Sequence, residues 1–423
     1  MKKIYIVLGC LLMSYHVAWA QFTADLLALT DVSIIDANHR VPLDHQTILI
    51  RQGKIQSVFK TGTQRIPDSA VVISLKGKFM LPGLVDSHVH LATDPSGVDN
   101  RAHTTEVLKR MLYSGITTVR DMAGDGRVLA GLSREALLNE IPSPKIYYAA
   151  LMAGTVFFSD PRTASSSAGA VAGTMPFMQA ITDTTTLTVV VARAIGSGAT
   201  GIKLYANLTP GLVDGILREA KKQHIKVWAH AWLQQSKPSD LISAGVNSLS
   251  HAPLLIREFY PSIPADWTKK HDAAFWDRTL PDYRDIFRSM KAGRVVLDAT
   301  LLTYKKWAET DTMVRWDYEL GKRITAQAYK AGVIICAGTD TDQEQFVQEE
   351  MRLLVSDAGF LPVDAIIAGT QNGAIALGLE TQIGTVSKGK AADLLILNYN
   401  PLLTMDNISS VYMVLKDGGM YRK

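Results

Sequence analysis

The stretch Gly83-Leu84-Val85-Asp86-Ser87-His88-Val89-His90-Leu91 is an apolar, strand-like run that closes on two histidines, and it is the first of a series. Comparable runs follow at residues 116–122, 145–151, 201–205, 226–230, 248–252, 295–301 and 333–339. Between most of them lie segments with helical period, at 105–113, 187–194, 212–222, 282–292, 316–331 and 344–357. Strands alternating with helices in this way predict an α/β fold, a (β/α)8 (TIM) barrel. An open doubly wound sheet is the alternative, but it usually carries a glycine-rich phosphate loop after its first strand, and none follows Leu91.

Two stretches break the rhythm. Residues 152–180 are rich in Ala, Ser, Gly and Thr, which suits a long loop after strand three; residues 254–280 hold Phe259, Tyr260, Trp267, Phe275 and Trp276 after strand six. Both leave the carboxyl ends of strands, the side where barrels place their active sites, so they read either as binding loops and lids or as surface decoration.

Outside the barrel the texture changes. Short strand runs at 27–35, 47–51, 55–60 and 70–75 are separated by turn material such as Asp36-Ala37-Asn38 and Gln52-Gly53-Lys54. The same texture returns at 392–398 and 411–416, with Lys388-Gly389-Lys390 and Asp417-Gly418-Gly419 as turns. The two ends read as halves of one small β-sandwich domain, 21–79 and 381–423, around a barrel at 80–380. Residues 1–20 read as a secretory signal: Lys2-Lys3, an apolar run from 4 to 13, and the small-x-small site Ala18-Trp19-Ala20. That run is too short to span a bilayer, and no apolar stretch of about 18 residues occurs elsewhere. The expectation is a periplasmic or secreted protein, with lipoprotein processing at Cys10 in Val7-Leu8-Gly9-Cys10 as the alternative. After cleavage only Cys336 remains, so no internal disulfide forms. With 47% hydrophobic and 20% charged residues, the 423-residue chain is neither disordered nor a disulfide scaffold. Its 44 Lys and Arg against 40 Asp and Glu argue against a nucleic-acid partner and leave a small-molecule substrate.

Polar residues at the strand ends carry the chemistry. Residues i and i+2 of a strand project to one side, so His88 and His90 can reach a single point in the barrel mouth. His230 and His251 end the fifth and sixth strands and Asp340 the eighth, while Lys203 sits inside the very apolar fourth strand. Imidazole and carboxylate suit zinc or a similar divalent ion. A lysine in apolar surroundings has its charged form disfavoured, and its neutral amine is the form that reacts with carbon dioxide; alternatively it snorkels to a loop or pairs with a carboxylate. Tyr205, two residues beyond Lys203, either donates a hydrogen bond to a developing oxyanion or packs as an ordinary aromatic. Arg120, ending strand two, either meets a substrate carboxylate or pairs with Asp121 or Asp125. His39, His45, His103, His224 and His271 fall in turns, helices or loops and receive no role.

Four motifs together resemble the amidohydrolase superfamily over nearly the whole mature chain. They are Leu81-Pro82-Gly83-Leu84-Val85-Asp86-Ser87-His88-Val89-His90, then Gly115-Ile116-Thr117-Thr118-Val119-Arg120-Asp121, then Ala337-Gly338-Thr339-Asp340, and the tail from Gly384 to Leu394. The chain is most similar to its imidazolonepropionase-related and prolidase-like hydrolases. The resemblance implies that His88, His90 and Asp340 hold one metal ion and His230 and His251 a second. Lys203, carboxylated on Nζ, would bridge two divalent ions, zinc by its ligand set. A single ion on His88, His90, His230 and Asp340 is the alternative. It further implies hydrolysis of a C–N bond by activated water, with Asp340 as base and then acid, on dipeptides, N-acyl amino acids or amide-linked xenobiotics. Lactone or phosphoester cleavage would use the same chemistry, and a non-catalytic scaffold would be marked by a lost ligand; none is missing here. Relatives of this kind often form symmetric homo-oligomers.

Overall fold

The computed structural model describes residues 25–93, 100–260, 280–312, 314–341 and 346–422. The signal-like residues 1–20 and the aromatic stretch 261–279, with Trp267, Phe275 and Trp276, lie outside the described residues.

The chain begins with strands β1 (Leu26–Ile34), β2 (Leu43–Arg51), β3 (Lys54–Lys60), β4 (Val71–Ser74) and β5 (Phe79–Pro82). β1 is central: it pairs antiparallel with β2 and parallel with β4 and β5. The register sets Leu27 opposite Ile50 and Leu29 opposite Ile48 on one face, and Ala28 opposite Leu49 on the other. Strand alternation thus gives this sheet two buried faces.

From β5 the chain passes through Gly83 into the barrel. Its strands are β6 (Leu84–Val89), β7 (Ile116–Asp121), β8 (Lys145–Gly154), β11 (Gly201–Leu204), β12 (Lys226–His230), β13 (Ser248–Ser250), β14 (Val296–Asp298) and β15 (Ile335–Cys336). Between β8 and β11 lie two short strands, β9 (Thr174–Met175) and β10 (Met178–Ile181). Each barrel strand pairs parallel with the next, from β6 round to β15. The seam between β15 and β6 is closed by two backbone bonds, Ser87 N–H to the Ala337 carbonyl (3.0 Å) and Asp340 N–H to the His88 carbonyl (2.8 Å). The fold is the expected α/β barrel.

The far end of the chain returns to the first sheet as β16 (Leu394–Leu397), β17 (Val411–Lys416) and β18 (Gly419–Tyr421), with β16 antiparallel to β5. β16 explains how the two units hold together. Leu394 and Ile396 pack with Leu29, Ile34 and Ile48 in the core of the sheet, whereas Leu395 and Leu397 pack into the core of the barrel. Gly115, at φ +107°, sits where a Cβ would come within 2.8 Å of the Leu395 side chain, so only glycine allows both the turn and this approach. Lys145 adds a charged tie from the start of β8 to Asp393 (3.0 Å) and Asp417 (2.6 Å).

Three sequence expectations need adjustment. Residues 152–180 are not simply a loop: β8 runs on to Gly154, and β10 pairs parallel with it and antiparallel with β9. The run 295–301 ends as a strand at Asp298, because Thr300 turns the chain at φ +51° and Leu301 opens a helix to Thr310. Helices Gly126–Leu137 and Pro238–Ala244 also complete the alternation. No helix among the described residues is long and apolar enough to cross a membrane.

Candidate metal centre and active site

At the carboxyl end of the barrel the predicted ring of residues converges. Nε2 of His90 lies 3.1 Å and Nε2 of His88 3.4 Å from one oxygen of Asp340, and Nδ1 of His251 lies 3.6 Å from the other. His88, His90 and Asp340 each offer a ligand atom within 4.8 Å of the others. The His251 ring is 5.2 Å from that of His88 and 4.4 Å from that of His230, whose own ring is 4.8 Å from Tyr205. Strand geometry alone does not produce this convergence. His251 (φ +77°) and Asp340 (φ +47°) both adopt left-handed backbone just past the ends of their strands, which bends the chain at the mouth. Such strain is found where surrounding structure fixes a functional geometry.

Hydrogen bonds orient the rings. Nδ1–H of His90 donates to the Ala123 carbonyl (3.0 Å) and that of His230 to the Trp232 carbonyl (3.3 Å), so Nε2 is the remaining nitrogen of each ring, and in His90 it meets Asp340. Nδ1 of His88 meets the Asp298 carboxylate at 2.7 Å, and Nδ1 of His251 meets the Thr300 hydroxyl at 2.9 Å. Burial pushes His88 and His251 well below the ordinary imidazole pKa and His230 down to about 3. Burial also acts to lower His90, but the Asp340 carboxylate beside it raises it on balance. Asp340 is held below the usual carboxylate range: burial would raise it, and the charges and hydrogen bond of His88 and His90 outweigh that. Burial depresses the Lys203 ammonium, partly opposed by Asp298.

These residues fit a divalent metal ion. Three of the imidazoles favour the neutral form that coordinates, one ionised carboxylate is at hand, and the Nδ1 hydrogen bonds of His88, His90 and His230 leave Nε2 of each ring to coordinate an ion.

Arg120 does not take either role read from the sequence. It is fully buried in the barrel interior, with its guanidinium donating to the Ser87 carbonyl (2.6 Å), the Ser248 hydroxyl (2.9 Å) and Asp298 (3.3 Å). It stacks on Trp228 from 4.9 Å. A barrel strand turns alternate side chains inward, and Arg120 points below the mouth, out of reach of a substrate carboxylate. Its expected partners are engaged elsewhere: Asp121 accepts from the backbone of Leu91 and Ala123, and Asp125 pairs with Arg127. Lys203 is likewise buried, with Nζ 3.1 Å from the Ser250 hydroxyl. Tyr205 is half-buried between the His230 and Phe157 rings, and burial raises its pKa, so it carries its proton at neutral pH.

Sequence reading missed Asp298, which holds His88, and Asp86. The latter accepts from the backbone of His88 and Thr339 (3.1 Å each) and from the Thr339 hydroxyl (3.0 Å), tying strand one to strand eight. Their signal was available, since a carboxylate in an otherwise apolar barrel strand needs a buried partner just as Lys203 does.

A profile of the amidohydrolase family matches residues 79–420, and the chain belongs to that family. It is accordingly an enzyme, a hydrolase acting on carbon–nitrogen bonds. Among characterised proteins, ochratoxinase from Aspergillus niger is 25% identical over 363 residues, which is 76% of this chain and 71% of that protein. The chain also superposes on a Xaa-Pro dipeptidase solved with methionine in its active site, at a TM-score of 0.76 and 22% identity, covering 94% of this chain and all of the other. The crystal structure of A. niger ochratoxinase gives a TM-score of 0.75 at 20% identity, covering 95% of this chain and 96% of that one. These structural likenesses speak for the fold.

Proposed function

We propose that the protein is an exported, binuclear metal-dependent amidohydrolase that cleaves the amide bond of a small substrate, a dipeptide or N-acyl amino acid. The observation that carries this is the ring of His88, His90, Lys203, His230, His251 and Asp340 at one barrel mouth. The similarity to a Xaa-Pro dipeptidase and to ochratoxinase supports the substrate class. Export rests on the signal-like residues 1–20.

His88, His90 and Asp340 would hold one zinc ion, His230 and His251 a second, with carboxylated Lys203 between them. Such ions supply Lewis-acid activation of water and polarisation of the scissile carbonyl. The chain's own residues do the rest. Asp340, kept ionised beside His88 and His90, accepts the proton of the attacking water and hands it to the leaving nitrogen. The Tyr205 hydroxyl, protonated and beside His230, donates to the oxygen that gains charge as the carbonyl carbon becomes tetrahedral. Metal analysis of the purified full chain tests the reading: two equivalents of zinc and loss of dipeptidase activity on chelation are expected. One equivalent gives the mononuclear alternative, and none sinks the proposal.

With Arg120 buried, the cation placed to meet a substrate carboxylate is Arg162. It lies on the segment after β8, paired with Asp160 (3.0 Å) and beside the Tyr205 hydroxyl. Replacing it, Arg162→Met, is expected to raise KM about 10-fold for a substrate with a free carboxylate, the worth of one charged hydrogen bond. The carboxamide analogue should be nearly unaffected, and an equal loss on both substrates would remove Arg162 from that role.

A further inference from the structure

Beneath the ring of ligands a single carboxylate oxygen gathers several interactions. Oδ2 of Asp298 receives His88 Nδ1 at 2.7 Å, the Ser250 hydroxyl at 3.2 Å and the Arg120 guanidinium at 3.3 Å. Ser250 in turn accepts from Lys203 Nζ at 3.1 Å. One buried atom therefore connects, directly, a histidine of the first metal position and, through one hydroxyl, the lysine assigned to the bridge. Asp298, Ser250 and Arg120 are all completely buried, so no solvent can substitute for the missing partner if any arm is removed.

The surrounding backbone is shaped for this carboxylate. A Cβ on Gly338 would lie 2.5 Å from Asp298 Oδ1 and 2.7 Å from the His88 Cβ, so the glycine of the Gly-Thr-Asp segment makes the space in which Asp298 and His88 meet. Oδ1 itself has no hydrogen-bond partner among the described residues, so the work falls on Oδ2. Arg120, held on two further sides by Ser87 and Ser248, supplies the compensating charge.

We propose that Asp298 is the positioning residue of the centre, fixing His88 as its Nδ1–H tautomer and, through Ser250, holding Lys203 in the place where it can join the two metal positions. The inference rests on the metal-centre reading above and adds to it a coupling between the two positions: Asp298 acts on a histidine of the first position and on the bridging lysine, Ser250 on the lysine alone. A carboxylate that receives a ligand histidine typically contributes 10- to 100-fold in metal affinity.

The test uses the full chain and two variants, Asp298→Asn, which keeps the shape and removes the charge, and Ser250→Ala, which cuts only the lysine arm. Zinc affinity is read by competition with a chromophoric chelator, and the His88 tautomer by nitrogen-15 NMR of the metal-free protein. Asp298→Asn should bind both ions about 10- to 100-fold more weakly and shift the His88 ring signals. Ser250→Ala, which disturbs only the bridge, should weaken zinc binding less than Asp298→Asn does and leave the His88 signals in place. Wild-type affinity in Asp298→Asn, or a Ser250→Ala protein whose His88 signals shift as they do in Asp298→Asn, would overturn the coupling. Should Asp298→Asn fail to fold, the wild-type spectrum still decides: an Nε2–H tautomer at His88 in the metal-free protein refutes the proposal. If wild-type protein binds no zinc, the metal-centre reading fails by itself, and the tautomer measurement still decides independently whether Asp298 orients His88.

Discussion

An Asp340→Asn enzyme is expected to turn over about 10,000-fold more slowly than wild type, the upper end of what a positioned general base contributes. The substitution is nearly isosteric. Asparagine keeps an oxygen that can face His90, now 3.1 Å from the carboxylate, and His88 at 3.4 Å, so the mouth should keep its shape. What it loses is the ability to take up a proton. The paired measurements are kcat and zinc content. Protein that keeps its zinc and loses turnover shows Asp340 acting on protons. Loss of both in proportion shows a ligand whose removal empties the site. A rate close to wild type with zinc retained would remove Asp340 from the proton transfer altogether. The pH profile gives a second readout: Asp340 beside His90 is held below the usual carboxylate range, and a bound cation would lower it further, so the acid limb of kcat/KM in wild type should lie below that of an ordinary carboxylate. That limb should vanish with Asp340.

The barrel was legible because its evidence is local. Runs such as Leu84–Val89 and Gly201–Leu204 are buried end to end, and a parallel sheet covered on both faces leaves that mark in the sequence directly. The strand-end histidines and Asp340 were legible for a related reason, since each is a polar residue breaking off an apolar run. Asp298 satisfies the same criterion in Val296–Asp298 but has no neighbour in sequence to explain it. Its partners, His88 and Arg120, are 210 and 178 residues away and meet it only when the barrel closes. Arg120 was misread for that reason: the nearest carboxylates in sequence, Asp121 and Asp125, are turned toward backbone and Arg127 instead. The strands β9 and β10 were hidden by composition, because Met178–Ile181 gains its pairing from the extended end of β8 and has no strong strand signal of its own.

Lys203→Ala should be the second severe variant, and it is the one that separates a bridging carbamate from a lysine that merely fills the barrel. Lys203 is 1% exposed, and among the described residues its Nζ hydrogen-bonds the Ser250 hydroxyl and forms no direct ion pair with a carboxylate. An ammonium there is poorly solvated, which is why burial depresses its pKa. Once the ammonium has lost a proton, the neutral amine can attack carbon dioxide: the N–C bond forms, one C–O π bond opens onto oxygen, a second N–H proton leaves, and the neutral amine becomes an anionic carbamate. Because the amine must first be neutral, reconstitution of metal-free wild-type protein with zinc should become faster as pH rises, and faster again with added bicarbonate. Lys203→Ala should retain no more than one zinc and lose about 100- to 10,000-fold in kcat, by the loss of one ion's share of charge stabilisation. Truncation would leave space beside Ser250 where Nζ stood, for acetate or propionate to place a carboxylate where the carbamate would stand. Partial return of activity and of the second zinc with these acids, but not with methylamine, is the expected pattern. Rescue by methylamine instead would mean that the site needs a cation there, and a wild-type rate in Lys203→Ala would mean that the two metal positions need no bridge.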